Sequence, residues 1–179
     1  MRLWPSISKA RSFAAGAPKM AGFAKKFESA KQDWTTPDAL FEPINAEFKF
    51  TLDAAADATN ARADNFFCAD DDGLRQDWGK HTVWLNPPYG DRAGKLSDWV
   101  KKASEASKLG ATVVMLIPAR TNTNWFHDLC LKHGNVRFIK GRPRFGGADH
   151  GLPQPLCLVV FRPEQAGNNT VSPALCPNQ

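Results

Sequence analysis

The 179-residue chain lacks the features that define several large classes of protein. Its four cysteines include no CxxC pair, which argues against a disulfide framework and favours reduced thiols in a cytoplasmic protein. No apolar run approaches the roughly 20 residues that a membrane span needs, so we expect no membrane partner. His127 and His133, six residues apart on a predicted helix, would face different ways, so we expect no metal site either.

Acidic residues are missing from residues 1–27, which hold six of the 23 lysines and arginines. The rest of the chain is nearly balanced, with 17 basic and 18 acidic residues, but the charge is polarised. Residues 53–77 contain seven aspartates and two arginines, whereas residues 92–144 contain eleven basic and three acidic residues. A basic face of this kind suits a polyanion, although solvated surface charge explains the same pattern equally well.

The length and the apolar content of 42% fit a single folded domain. Residues 1–30, rich in Ala, Ser, Lys and Arg, are interpreted as a flexible basic arm, a composition that transit peptides share. Residues 31–163 form the predicted domain. The polar, proline-bearing residues 164–179 are expected to be a disordered tail.

Within the domain, apolar patterns predict five strands and three helices. The strands are expected at residues 48–53, 81–86, 111–118, 136–139 and 156–161. The first helix should be capped by Thr36, begin at Pro37 and be interrupted by Pro43, because proline removes a backbone donor. The other helices are expected at residues 95–109 and 122–134, each closed by a glycine.

Alternation of strands and helices predicts a mostly parallel α/β sheet. The last two predicted strands have no helical pattern between them, so they should form an antiparallel hairpin that finishes the sheet. Ligands of such sheets bind beyond the carboxyl ends of the strands. Asp53 and Asn86 fall at two such ends and Asp77 just precedes the second strand, so we expect the three segments to converge on one crevice.

The sequence Asn86-Pro87-Pro88-Tyr89 ends a predicted buried strand abruptly. The two prolines remove backbone donors but leave carbonyl acceptors, and Asn86 adds a side-chain oxygen. Two adjacent acceptors suit an exocyclic amino group, whose two hydrogens they can hold while the nitrogen becomes more nucleophilic. Tyr89 could then lie flat against the ring that carries the amine. The alternative is a rigid strand end with a packed tyrosine.

Six segments in order resemble the phage DNA N-6-adenine methyltransferase (Dam) family. They are DWTTPDALFEPI, FTLDAAAD, DGLRQDW, VWLNPPYGD, VVMLIPARTNTNWFH and IKGRPRF, which together span roughly residues 33–162. The resemblance implies a Rossmann-like methyltransferase fold and S-adenosyl-L-methionine as methyl donor. It also implies double-stranded DNA as partner, with the target adenine flipped out of the stack, and a phage or restriction-modification setting in a bacterial or phage-infected cytoplasm.

The resemblance also assigns roles to residues. Asn86 and the Pro87 carbonyl would hold the amine, with Pro88 completing the corner and Tyr89 stacking on the base, and transfer would be a direct displacement without a covalent enzyme intermediate. Cofactor contacts are expected from Trp34, Thr35, Thr36, Pro37, Asp53 and Asp77. The segment Asp53–Asp57 departs from the wider superfamily, because the usual glycine-rich loop is missing there.

Five polar residues follow predicted strands in the basic half and could contact DNA phosphates, which supply affinity without sequence information. They are Arg120, Asn122, Lys140, Arg142 and Arg144. We therefore expect a monomeric, site-specific DNA adenine-N6 methyltransferase. The same chemistry on cytosine N4, RNA adenine or a protein glutamine amide stays open, as does an inactive DNA-binding module.

Overall fold

The computed structural model describes residues 35–90, 95–146 and 153–163 in full, and the backbone of residues 171–175. All of these residues belong to the second of two units into which the chain divides, Asp33–Gln179. The predicted basic arm and Trp34 lie outside the described residues. No helix in the described part of the chain combines the length and the apolar character that crossing a membrane requires.

Six strands form one mixed sheet. They are β1 (Leu52–Asp53), β2 (Thr82–Leu85), β3 (Thr112–Pro118), β4 (Asn135–Ile139), β5 (Leu156–Phe161) and β6 (Val171–Leu175), in the spatial order β1-β2-β3-β5-β4-β6. Strand β5 is antiparallel to both β3 and β4, whereas the pairs β1–β2, β2–β3 and β4–β6 are parallel. The predicted mostly parallel α/β sheet and the antiparallel β4–β5 pairing are confirmed. The β4–β5 hairpin follows the parallel strands as expected, with β5 between β3 and β4, and β6 then extends the sheet beyond β4.

Apolar side chains cover both faces of the sheet, which explains why its central strands read as continuous apolar runs. Alternation along β3 sends Val113, Met115 and Ile117 into one core and Val114 and Leu116 into the other. The first core is covered by helix α2 (Leu96–Lys108) and the segment Phe126–Leu131, and the second by helix α1 (Asp38–Phe48). The sheet is therefore enclosed between helical layers.

Helix α1 differs from its prediction in two ways. Pro37, not Thr36, occupies the N-cap position, and no side chain caps the helix. Pro43 does not interrupt the helix, which continues to Phe48. Loss of one backbone hydrogen bond on the exposed side is tolerated because Leu40, Phe41 and Ile44 anchor the opposite side in the core.

Helix α2 agrees with the prediction to within one residue, and Gly110, at φ 113°, follows its end. The third helical segment departs from a regular α-helix, because Phe126–Leu131 form a π-helix. Phe126 and Cys130 are buried in the first core. Gly134 ends the segment where a Cβ would lie 2.7 Å from Val159 Cγ1, so the close approach to β5 requires glycine.

The sheet edge beyond β4 was not predicted. Val171–Leu175 pair with β4 in the parallel sense, which differs from the disorder expected for residues 164–179. This strand holds a proline and is too short to show a strand period, but an edge position tolerates proline. The rest of the expected tail from residue 164 onward lies outside the described residues.

Candidate active site

The Asn-Pro-Pro-Tyr corner follows β2 directly. Strand β2 ends at Leu85, and its neighbour β1 ends at Asp53, which is paired with Trp84. The backbone N–H of Ala54 also donates to the carbonyl of Trp84, at 3.1 Å. Because the two strands are parallel, Asp53 and Asn86 both lie at the carboxyl ends of their strands, on the same side of the sheet. The sequence predicts this placement.

The side-chain amide of Asn86 lies between two hydroxyl groups. Its Nδ2 donates to Thr36 Oγ1 at 3.3 Å, and its Oδ1 accepts from Tyr89 Oη at 2.8 Å. Thr36 is buried, with 3% of its surface exposed, so solvent has little access to this hydrogen bond. The amide is therefore held from both ends, which fixes the direction of its oxygen.

Tyr89 has a second acceptor within reach. Its Oη lies 3.1 Å from the carbonyl oxygen of Leu116, in β3. A phenol carries one proton, so it can donate to Asn86 or to Leu116, but not to both at once. Burial raises the pKa of Tyr89 far above its usual range, so the group stays a neutral donor. The residue as a whole is only partly buried.

Asp53 is a buried carboxylic acid at 3% exposure. Its two oxygens accept backbone N–H groups from Arg62 at 3.0 Å and Ala55 at 3.3 Å. Burial raises the pKa of Asp53 to about 6, and the two N–H bonds and the charge of Arg62 oppose that rise. At neutral pH the group is largely ionised, so it offers a buried negative charge beside the corner.

Arg62 was missed by the sequence reasoning. Its Nη1 donates to Asp38 Oδ1 at 2.7 Å, its Nη2 donates to the carbonyl oxygen of Thr36, and its guanidinium lies 5.0 Å from the ring centroid of Phe41. Its backbone N–H is the one that binds Asp53. The available signal was a basic residue inside an acidic stretch, which indicates a paired charge.

The cofactor segment predicted around Thr36 reaches this corner through Thr36 itself, while its neighbours Thr35 and Pro37 bond elsewhere. Thr36 contacts Asn86 and Arg62, as described above. The carbonyl of Thr35 accepts the N–H of Gly146 at 3.2 Å, and the carbonyl of Pro37 accepts the first helical N–H groups of α1. The segment is therefore tied to β2, to the loop after β1 and to the loop after β4.

Asp77 does not join this group through any bond within the described ranges. It is exposed, and its Oδ1 accepts the backbone N–H of Gly79 at 2.9 Å, in the turn before β2. That contact is the ordinary role of an aspartate that caps a turn. Convergence with Asp53 and Asn86 therefore stays a prediction for this residue.

The predicted DNA-binding residues follow strands that point the same way as β2. Arg120 and Asn122 come after β3 and are exposed, and Lys140, Arg142 and Arg144 come after β4 and are exposed. No carboxylate in the described residues forms an ion pair with these four basic groups. The bond between Gly146 and Thr35 places the loop after β4 next to the cofactor segment.

Together, the mixed sheet and its corner place an asparagine amide held by two hydroxyls and a buried acid at the carboxyl ends of neighbouring strands. A model of the DNA N-6-adenine-methyltransferase (Dam) family matches residues 24–166. The chain belongs to this family, which confirms the resemblance seen in the sequence.

Two relatives with known names share part of the sequence. The DNA N-6-adenine-methyltransferase of Escherichia phage T1 is 34% identical over 103 residues, which cover 56% of this chain and 42% of the phage protein. The putative methyltransferase YfdM of Escherichia coli K12 is 34% identical over 73 residues, which cover 37% of this chain and 80% of that protein. The chain thus spans less than half the length of the phage relative.

A solved structure, that of Thermoplasma acidophilum 1320, matches 70% of this chain and 86% of its own. The sequence identity is 16% and the TM-score is 0.43. This similarity is too low to carry a statement about the fold family.

Proposed function

We propose that the protein is a site-specific DNA methyltransferase that moves a methyl group from S-adenosyl-L-methionine to N6 of an adenine flipped out of double-stranded DNA. The observation that supports this most directly is the Asn86 amide, oriented by two hydroxyls at the ligand-binding edge of the sheet. Family membership supports adenine in DNA as the acceptor. The donor supplies the electrophilic methyl group.

The acceptor amine would be held by Asn86 Oδ1 and the carbonyl oxygen of Pro87. Both are neutral acceptors, so they can take the two amine hydrogens without removing either one. Pro88 has no N–H, which keeps a competing donor away from the corner. Tyr89 would lie against the base with its ring.

Tyr89 also explains how the asparagine oxygen becomes available. The phenol can give its proton to the carbonyl of Leu116 instead, at 3.1 Å, when an amine takes its place on Asn86. No buried polar group is then left without a partner, which would cost about 1–3 kcal/mol. The corner can therefore accept the substrate amine at little cost.

The residues beside this corner are suited to bind the methyl donor, S-adenosyl-L-methionine. Asp53 is a buried carboxylate suited to the ammonium group of the donor, and its raised pKa shows that it lacks a full set of compensating charges. Thr36 is linked to Asp53 through Arg62, and we extend the proposal to its neighbours Trp34, Thr35 and Pro37 and to Asp77. Arg120, Asn122, Lys140, Arg142 and Arg144 would contact DNA phosphates.

The test is incubation of the purified protein with radiolabelled S-adenosyl-L-methionine and plasmid DNA, followed by digestion to nucleosides. Label in N6-methyldeoxyadenosine is expected. Label in N4-methyldeoxycytidine, label only in a parallel RNA sample, or no label in DNA would refute the proposal.

The residue roles need a matched pair of variants. Asn86→Ala should lose methyl transfer, because it removes the oxygen that holds the amine. Asn45→Ala is the control, since the Asn45 side chain accepts the backbone N–H of Phe50 at 3.1 Å, at the end of helix α1. Equal activity of the two variants would contradict the mechanism.

A further inference from the structure

One residue, Arg62, connects the Asp53 side of the candidate site to the Thr36 and Asn86 side, through its backbone and its side chain. Arg62 lies in the loop after β1, yet its guanidinium reaches the carbonyl of Thr36 and the carboxylate of Asp38, at the start of α1. From the same residue, the backbone N–H binds Asp53. The hydroxyl of Thr36 in turn accepts from Asn86. A continuous set of polar contacts therefore runs from the donor-side acid to the amine-holding amide.

The environment of Arg62 indicates that its geometry matters. Its side chain is 18% exposed, against 86% for the ion-paired Arg75. The guanidinium packs on Phe41, and its Nε is buried with no hydrogen-bond partner in the described part of the chain. A buried donor without a partner is costly. The planar guanidinium instead makes two hydrogen bonds at once, to Asp38 and to the carbonyl of Thr36. The single ammonium group of a lysine could not reproduce this geometry.

We propose that Arg62 is a positioning residue for methyl transfer, which acts through Thr36 to hold the Asn86 amide in register with the Asp53 side of the site. This inference rests on the proposed function. In this arrangement Arg62 acts through its protein contacts, to Thr36, Asp38 and Asp53. A small misplacement of a reacting group lowers the rate strongly. Loss of the Arg62 contacts should therefore reduce kcat far more than it weakens DNA binding.

The experiment is a double-mutant cycle on kcat, made with Arg62→Met, Thr36→Val and the combined variant. Each single change should lower kcat, by up to about 100-fold. Because both changes break the same path, the combined variant should be little worse than the more severe single one. Arg75→Met removes the same charge at an exposed position and is the matched control, which should keep wild-type kcat.

Three further measurements separate positioning from loss of fold. Melting temperatures show whether each variant is folded, and Arg62→Lys should recover little kcat although it keeps the charge. The charge of Arg62 also lowers the pKa of Asp53, so Arg62→Met should move the acidic limb of kcat/KM for the donor to higher pH, and Arg62→Lys should move it back. Asp38, which pairs with Arg62, is unchanged in all these variants.

Wild-type kcat in folded Arg62→Met, or additive effects in the cycle, would overturn the inference. If Arg62→Met does not fold, Thr36→Val and Arg62→Lys decide, and wild-type kcat in either would overturn it. A wild-type protein that transfers no methyl group would refute the proposed function instead, so the two failures are distinguishable.

Discussion

The buried carboxyl group of Asp53 should make the stability of this protein depend on pH in an unusual direction. Its pKa is about 6 in the folded protein, against 3.8 as its ordinary value. That gap corresponds to about 3 kcal/mol. Since the folded state binds the proton more tightly, the stabilisation is fully present below about pH 3.8 and is lost as the pH rises through about 6. At neutral pH the ionised group costs the fold about 3 kcal/mol.

The perturbation is Asp53→Asn, which removes the titration and nearly keeps the shape. Urea unfolding of both proteins should be measured from about pH 8 to about pH 4.5, and the variant's free energy of unfolding subtracted from that of the wild type. This difference should rise by about 2 kcal/mol as the pH falls over that range, because most of the wild-type penalty disappears. Glu47, whose pKa is lowered chiefly by its hydrogen bond to Arg137, acts in the opposite direction. It is present in both proteins, so it drops out of the difference.

A second set of measurements, made with a bound ligand, tests whether Asp53 also takes part in cofactor binding. If Asp53 binds the donor's ammonium, saturating S-adenosylhomocysteine should hold the carboxylate ionised and reduce the pH dependence of the wild type. Calorimetric affinity for S-adenosylhomocysteine should also fall below about pH 6, and Asp53→Asn should bind weakly throughout. A pH-independent difference between the two proteins would refute the reasoning about burial. An undiminished affinity of the variant would refute the cofactor role alone.

Three further outcomes are expected. Tyr89→Phe should lower kcat but keep DNA affinity, because it removes the hydroxyl that orients Asn86 before the amine takes its place. Tyr89→Ala should also weaken retention of the flipped base, and equal effects of the two variants in fluorescence with 2-aminopurine DNA would contradict this. Arg142→Ala with Arg144→Ala should lower the slope of log affinity against log salt by about 0.9 per lost phosphate contact, and an unchanged slope would exclude these contacts. Gly134→Ala should destabilise the fold by about 1–3 kcal/mol in thermal unfolding, because its Cβ would collide with β5; wild-type stability would show that β5 can shift.

Much of the sheet could be predicted because its strands carry their own signals. The residues 113–117 are all apolar and all buried, and an uninterrupted pattern of this kind indicates burial on both faces of the sheet. The position of β5 could not be predicted in the same way. Whether it lies at the edge or between β3 and β4 depends on long-range pairing, and the same apolar strand satisfies both arrangements.

The continuation of α1 through Pro43 has a similar origin. Pro43 does remove a backbone hydrogen bond from the helix. The packing of Leu40, Phe41 and Ile44 in the core stabilises the helix by more than this loss destabilises it. Likewise, the pairing of Val171–Leu175 depends on a free edge of β4, which no local pattern in that segment reveals.

The sequence by itself determined the chemistry of the corner, because Asn86-Pro87-Pro88-Tyr89 has its hydrogen-bond acceptors, and lacks two backbone donors, within four adjacent residues. The six ordered segments determined the family. Only the tertiary structure decided that Thr36 binds the asparagine, that Arg62 joins it to the Asp53 side, and that Tyr89 has Leu116 as a second acceptor. The side-chain contacts of Thr36, Arg62 and Tyr89 with these partners join residues 26 to 50 positions apart, so they exist only after the chain has folded.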